Sequence, residues 1–373
     1  MTARASGFQT RLMPIDAIPD WETRIARQDA CWEREILDRP VCAITVPREP
    51  PVRAVPAARP YAYLRDYWLD TDRVVETTVA AVRNTEYLGD ALPFAWPNLG
   101  PEGFSAFFGC EMEFGETTTW AIPCIHDWAE AGACRFSKEN PYWRKLEEMT
   151  EALLDAGEGL FYTGISDLHP GGDALAAFRD PQQLNLDLLL HPGEVRQLLG
   201  YVNRVYAELL EFYFAKLAAR RQPVTTWPGI VSSKRWMVPS NDFSCMISKA
   251  MFDKFFLPGI REECRLLEAS VYHLDGPAAL RHLDSLLEIP ELSMIQWVYG
   301  AGQGRASDWL PVYRRCQAAQ KGIQLFLDAD ELPVIMENLR PEGVWMAVTV
   351  PDHDAARAVL RTVETWRSSG VSR

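Results

Sequence analysis

From Pro223 onward the chain alternates between short apolar, β-branched runs and longer helical stretches, and nothing else in it constrains the fold as strongly. The apolar runs at 237–238, 270–274, 293–298, 322–327 and 343–350 have strand length. Helical periodicity fills the intervals at 248–269, 277–287, 309–321, 329–339 and 352–367. Repeated strand-then-helix units imply a parallel sheet, because a parallel pair needs a crossover long enough to hold a helix. With the weaker upstream signals there are roughly eight such units, which suits a closed barrel better than an open sheet. The expected fold is therefore α/β, a single (β/α)8 TIM-type barrel with an elaborated N-terminal region. Residues 1–70 are expected to form an N-terminal extension packing on the barrel, and residues 71–373 the barrel itself.

Upstream of Pro223 the pattern predicts a helix over 20–37 with Asp20 as its N-cap, a strand at 41–46 and a helix at 71–84. Strand-like runs follow at 117–122 and 159–165, and helices at 141–157, 172–178 and 192–220. In the last, apolar residues recur every third or fourth position from Leu198 to Leu217.

Charge and cysteine usage remove several classes of function. The net charge is −13 with no basic stripe, so nucleic acid and anionic membrane are not expected partners. Eight cysteines stand at 31, 42, 110, 124, 134, 245, 264 and 316, and none forms a C-x-x-C pair of the zinc-ribbon or thioredoxin kind. No run of about 18 apolar residues offers a spanning helix. The expectation is a soluble, reduced, cytoplasmic protein that takes a small-molecule substrate, assembled as a homodimer.

In a barrel of this kind chemistry sits where strands end and βα loops begin. Those points deliver Asn98, His126 with Asp127, Asp167, Ser240-Asn241-Asp242, His273 with Asp275, Gln296 with Trp297, and Asp328. Trp96, Trp120, Trp128, Trp227 and Trp236 accompany them, and polar groups against aromatic walls are what a small-molecule pocket requires. Asp328, just before A-D-E-L-P, reads as a helix cap, and His169 before Pro170 as a loop residue. The central stretch is A-S-V-Y-H-L-D-G, 269–276, where His273 and Asp275 stand two apart and so share one face of a strand. Such a pair can share a metal, or the carboxylate can hold the imidazole in one tautomer. Equally, Asp275 can cap the helix beginning near Pro277 while His273 is merely packed. Glu111 and Glu113 form a second carboxylate pair, read as solvated. There is no G-x-x-x-x-G-K-[ST], no G-x-S-x-G and no H-E-x-x-H.

The segments N-D-F-S-C-M-I-S-K-A-M-F-D-K-F-F-L-P-G-I-R-E-E (241–263), V-Y-H-L-D-G (271–276) and I-Q-W-V (295–298) resemble the uroporphyrinogen decarboxylase superfamily. That group includes the decarboxylase and the methyltransferases that serve corrinoid proteins. The resemblance spans about residues 70–370, carried most specifically by Ser248, Phe252, Phe255 and Pro258, and it implies the same (β/α)8 barrel. Two departures shape what it implies for function. The arginine-rich N-terminal segment and the aspartate that grip a porphyrinogen are replaced by R-P-V-C-A-I-T-V-P-R-E-P-P (39–51) and F-A-W-P-N-L-G (94–100), so porphyrinogen decarboxylation is not expected. The H-x-C zinc motif of the corrinoid methyltransferases becomes His273-x-Asp275, and the last strand, W-M-A-V-T-V (345–350), lacks their further cysteine. Such a site is harder than one built on thiolates.

The resemblance thus implies a methyltransferase-type enzyme of one-carbon or corrinoid metabolism. His273 and Asp275 would be catalytic and would hold zinc or another divalent metal. Asn98, Asp127, Asp167, Trp227, Asn241, Asp242, Gln296 and Trp297 would line the pocket, and a partner protein would carry the corrinoid. A decarboxylase or lyase on a small aromatic or sugar-like substrate, and a non-catalytic binding subunit, are the alternatives.

Overall fold

The structure is a computed structural model and describes residues 11–367. In chain order its strands are β1 (Val41–Pro47), β2 (Thr85–Gly89), β3 (Phe94–Ala95), β4 (Glu111–Phe114) and β5 (Thr119–Ile122). They continue with β6 (Tyr162–Thr163), β7 (Val224–Thr225), β8 (Val231–Ser232), β9 (Trp236–Met237) and β10 (Ala269–Asp275). The last are β11 (Met294–Val298), β12 (Gly322–Asp328) and β13 (Val344–Thr349).

Seven of these form one sheet in the order β2–β1–β13–β12–β11–β10–β9, parallel throughout except for β2 against β1. From β9 to β13 each crossover steps the chain to the adjacent strand, carried by helices such as Leu257–Leu266, Leu310–Ala318 and Leu332–Asn338. The strands of this run are nearly continuous apolar segments, as strands covered on both faces must be. A second group of short strands stands apart: β3 runs parallel to β6, and beyond β6 the Ile165 N–H donates to Thr225 O at 2.9 Å. β4 and β5 make an antiparallel hairpin, as do β7 and β8. Among the described residues these ladders do not join into one closed ring. The architecture is mixed α/β around a central, mostly parallel seven-stranded sheet.

One strand from the N-terminal region is woven into that sheet. β1 lies between β2 and β13. Helix Trp21–Trp32 is fastened to three separate stretches of chain through Gln28, whose Oε1 accepts from Val231 N at 2.7 Å and Trp345 Nε1 at 3.2 Å, while its Nε2 donates to Asp90 O at 3.1 Å. Asp90 is fully buried and takes Arg39, Arg27 and the Cys42 N–H on its carboxylate.

Two helices are shorter than their periodicity predicts. The helix expected over 20–37 ends at Trp32, because Arg34 turns into the left-handed region at φ 58°. Asp20 makes no cap bond there and holds Arg24 instead. The stretch 248–269 divides into Lys249–Phe255 and Leu257–Leu266, since Pro258 has no N–H to continue the first helix.

Candidate functional site

One register row carries polar side chains across three adjacent strands and the segment that follows β9. Ser240 bridges His273, His273 stands opposite Gln296, and Gln296 stands opposite Gln324. Gln324 Nε2 donates to the carbonyl of Pro228 at 2.9 Å, a group that can only accept. Gln324 Oε1 is therefore the acceptor for Gln296 Nε2 at 2.8 Å, which leaves Gln296 Oε1 to accept from His273 Nδ1. Both glutamines are buried, so breaking this chain of amides would strand a desolvated polar atom. The proton of neutral His273 is thereby fixed on Nδ1, and the Nε2 lone pair faces Asp242 Oδ1 at 3.9 Å. Trp227 meets the same ring edge-on, with centroids 5.2 Å apart.

Asp275 joins this group from its place two residues along β10. Ligand-capable atoms of Asp242, His273 and Asp275 lie within 4.8 Å of one another. The turn after β10, Pro277–His282, has Gly276 at its cap position with φ 78°. The set of one imidazole nitrogen and two carboxylate oxygens fits a divalent cation of hard or borderline character.

A second group shares Asp242 but differs in chemistry. His169 Nε2 lies 2.9 Å from Asp167 Oδ1, and its Nδ1 lies 3.2 Å from Ser240 Oγ and 3.5 Å from Asp173 Oδ2. Ser240 Oγ donates to Asp173 Oδ2 at 3.3 Å, so it must accept from His169. Burial works against a charge on His169, but Asp167 and Asp173 outweigh it and raise the imidazole well above its ordinary range. The two carboxylates thus favour the charged form of His169, in which both ring nitrogens donate. Ligand-capable atoms of His169, Asp173 and Asp242 also lie within 4.8 Å of one another. Burial pushes the Asp242 carboxyl up to about 6; Asp173 and Asp275 add to the shift, and His273 and His169 oppose it.

Asp242, His169 and Asp173 on one side, and Asp167 with Trp227 on the other, border two adjoining clefts. One, of about 270 Å³, is lined by Glu102, Ser105, His169, Asp173, Asp242 and Phe243. The other, of about 220 Å³, is lined by Trp68, Trp96, Asn98, Thr118, Asp167 and Trp227, and Pro101 borders both.

Of the residues expected at the site, Asn98, Asp167, Trp227 and Asp242 line these clefts, and His273, Gln296 and Asp275 meet at the row's end. Asn241 lies deeper, against Gly172, with neither amide atom hydrogen-bonded. Asp127 is not brought in; it is exposed and caps the turn Trp128–Ala133 by accepting from Ala129 N at 2.9 Å. Trp297 stands one residue out of step with Gln296 and packs on Trp309, with centroids 5.2 Å apart. Glu111 is held by the Tyr142 hydroxyl at 3.0 Å. His169, read from sequence as a loop residue, is central, and Asp173, Glu102 and Gln324 were missed. The only sequence signal for Gln324 was a polar side chain inside an apolar strand, and for Asp173 its place four residues after a histidine.

No protein-family model matches the chain, and no curated protein matches it. Among solved structures it is similar to a methyltransferase from Methanosarcina mazei, with a TM-score of 0.57 over 91% of this chain and 98% of that one at 10% identity. At that identity the likeness is one of fold. No helix among the described residues is long and apolar enough to cross a membrane.

Proposed function

We propose that this chain is a methyltransferase-type enzyme on a (β/α)8 barrel, with a small-molecule substrate held in the paired clefts. A corrinoid protein would be its methyl-carrying partner, and a homodimer its assembly. The observation that carries the reading is the amide chain from Pro228 to His273, which presents a fixed Nε2 lone pair beside two carboxylates. The structural likeness to a methyltransferase and the barrel-like continuation of β3, β6 and β7 beyond the main sheet support it.

The donor set suits a divalent metal, zinc or a harder ion, held by His273, Asp242 and Asp275. Such an ion would act as a Lewis acid that lowers the pKa of a bound acceptor. The chain's own residues do the rest. Gln296 and Gln324 orient His273, His169 holds the Asp167 and Asp173 carboxylates in place, and Trp227 and Trp96 wall the site from water.

Metal analysis of the purified protein, with a methyl-transfer assay from methylcobalamin to a thiol, tests this reading. Stoichiometric metal that His273→Ala removes together with turnover is the expected result. A metal-free protein that still turns over would sink the metal version. The clustering of Asp173 and Asp242 around an imidazolium favours a second reading, a decarboxylase or lyase that uses a carboxyl as acid and base. Carbon dioxide release without methyl transfer would select it.

A further inference from the structure

Three cysteines spread over residues 110–134 converge at the open end of the β4–β5 hairpin. Cys110 precedes β4, Cys124 follows β5, and Cys134 ends the turn Trp128–Ala133. Cys124 Sγ lies 3.2 Å from Cys110 Sγ and 4.0 Å from Cys134 Sγ. Pairing of Glu111 with Ile122 brings the ends of the hairpin together. The N–H groups of Cys124 and Ile125 both donate to Phe178 O, which holds Cys124 in place. Cys110 and Cys134 are buried, whereas Cys124 is half-buried.

The three sulfurs are not among the groups of described residues compact enough to surround one ion. They stand as a chain with Cys124 in the middle, an arrangement suited to thiol–disulfide exchange. Hydrogen bonds from Cys110 and then Cys134 hold the Cys124 thiol far below its ordinary range, burial opposes them, and His126 adds a smaller push in their direction. The same shared charge, with burial, drives Cys110 and Cys134 up.

We propose that Cys124 is a peroxide-reactive thiol resolved by Cys110, with Cys134 as its alternative disulfide partner. The Cys124 thiolate attacks the terminal oxygen of a hydroperoxide; an S–O bond forms, the O–O bond breaks, and the leaving alkoxide or hydroxide takes a proton from solvent to depart as alcohol or water. Cys124 is then a neutral sulfenic acid, so the charge that held the Cys110 proton is gone. Cys110 attacks the Cys124 sulfur, the S–S bond forms, the S–O bond breaks and water departs. Two thiols and one hydroperoxide give one disulfide, one alcohol or water, and one water. Attack by Cys134 on that disulfide returns Cys110 as a thiol.

Hydrogen peroxide added to the reduced full-length protein tests the assignment, with mass spectrometry after cleavage at glutamate. Glu111, Glu113, Glu116 and Glu130 separate the three cysteines, which otherwise share one tryptic peptide. The expected product is a Cys110–Cys124 disulfide. Cys110→Ser should shift the bond to Cys124–Cys134, and the Cys110→Ser/Cys134→Ser pair should leave a sulfenic acid that dimedone traps. Cys124→Ser should slow peroxide-dependent thiol loss at least about tenfold. Equal thiol loss in Cys124→Ser, or a first disulfide elsewhere, overturns the proposal. Should that variant misfold, wild-type alkylation at about pH 6 decides: Cys124 must label about tenfold faster than Cys245, the other half-buried cysteine, and equal labelling defeats the proposal.

Discussion

Replacing Gln296 by leucine would remove the acceptor of the His273 Nδ1–H and leave Gln324 Oε1 buried without a donor. Losing an orienting partner of a metal-binding histidine costs about 10–100-fold in metal affinity. Zinc titration by calorimetry should therefore show a loss of that order for Gln296→Leu, and unchanged affinity would separate the relay from the site. Glu263 supplies a pH prediction. It is fully enclosed, and burial, with Asp173 adding, pushes its carboxyl up to about 8. Between the unfolded value near 4.3 and about 8, the native state keeps a proton that the unfolded chain has released, so stability falls as pH rises through that window. Glu263→Gln cannot ionise, and its thermal midpoint relative to wild type should be higher at about pH 9 than at about pH 5. An offset independent of pH would show that the native carboxyl titrates where the unfolded one does, and would defeat the raised value. At this scale the sequence showed His273 with Asp275, because spacing two on a strand fixes a shared face. It hid the relay: His273, Gln296 and Gln324 are neighbours only once the register of three strands is known.

Helices Gly171–Arg179 and Pro181–Leu190 meet at a buried ion pair, Arg179 Nε to Asp187 Oδ2 at 2.7 Å, and Arg179 Nη1 also donates to Ile125 O at 2.6 Å. This ties the first helix, which carries Asp173, to the loop of Cys124. Asp187→Ala would leave Arg179 buried and uncompensated, which costs about 3–5 kcal/mol. Urea unfolding should show that loss, and Arg179→Met/Asp187→Leu together should restore much of it. Recovery no better than the single variant would count against charge burial as the cause. Strands β10 to β13 were legible as elements because buried parallel strands read as uninterrupted apolar runs. The two-residue strands β3, β6 and β7 were weak signals, since so short a run carries no period. The break at Pro258 was written in the residues, but helical periodicity on both sides of it masked it.

The placement of β1 between β2 and β13 makes Val41–Pro47 part of the main sheet's framework. A chain beginning at residue 71 would leave β13 without one of its two neighbours and Trp345 without Gln28. Such a truncation should fail to give a cooperative thermal transition, and a sharp transition near the wild-type midpoint would show residues 1–70 to be a dispensable attachment. The sequence revealed the strand at 41–46 but not its partner, because contacts between chain ends leave no local trace. This pairing also has a consequence for biosynthesis. β1 emerges from the ribosome well before β13, against which Val41 and Cys42 pair and which follows about three hundred residues later. At about 5–20 residues per second that is a wait of roughly 15–60 s. During that interval an apolar strand edge stays uncovered on the nascent chain, so the sheet is completed only once β13 has been made, and a chaperone that shields β1 would bind before β13 appears and let go after it.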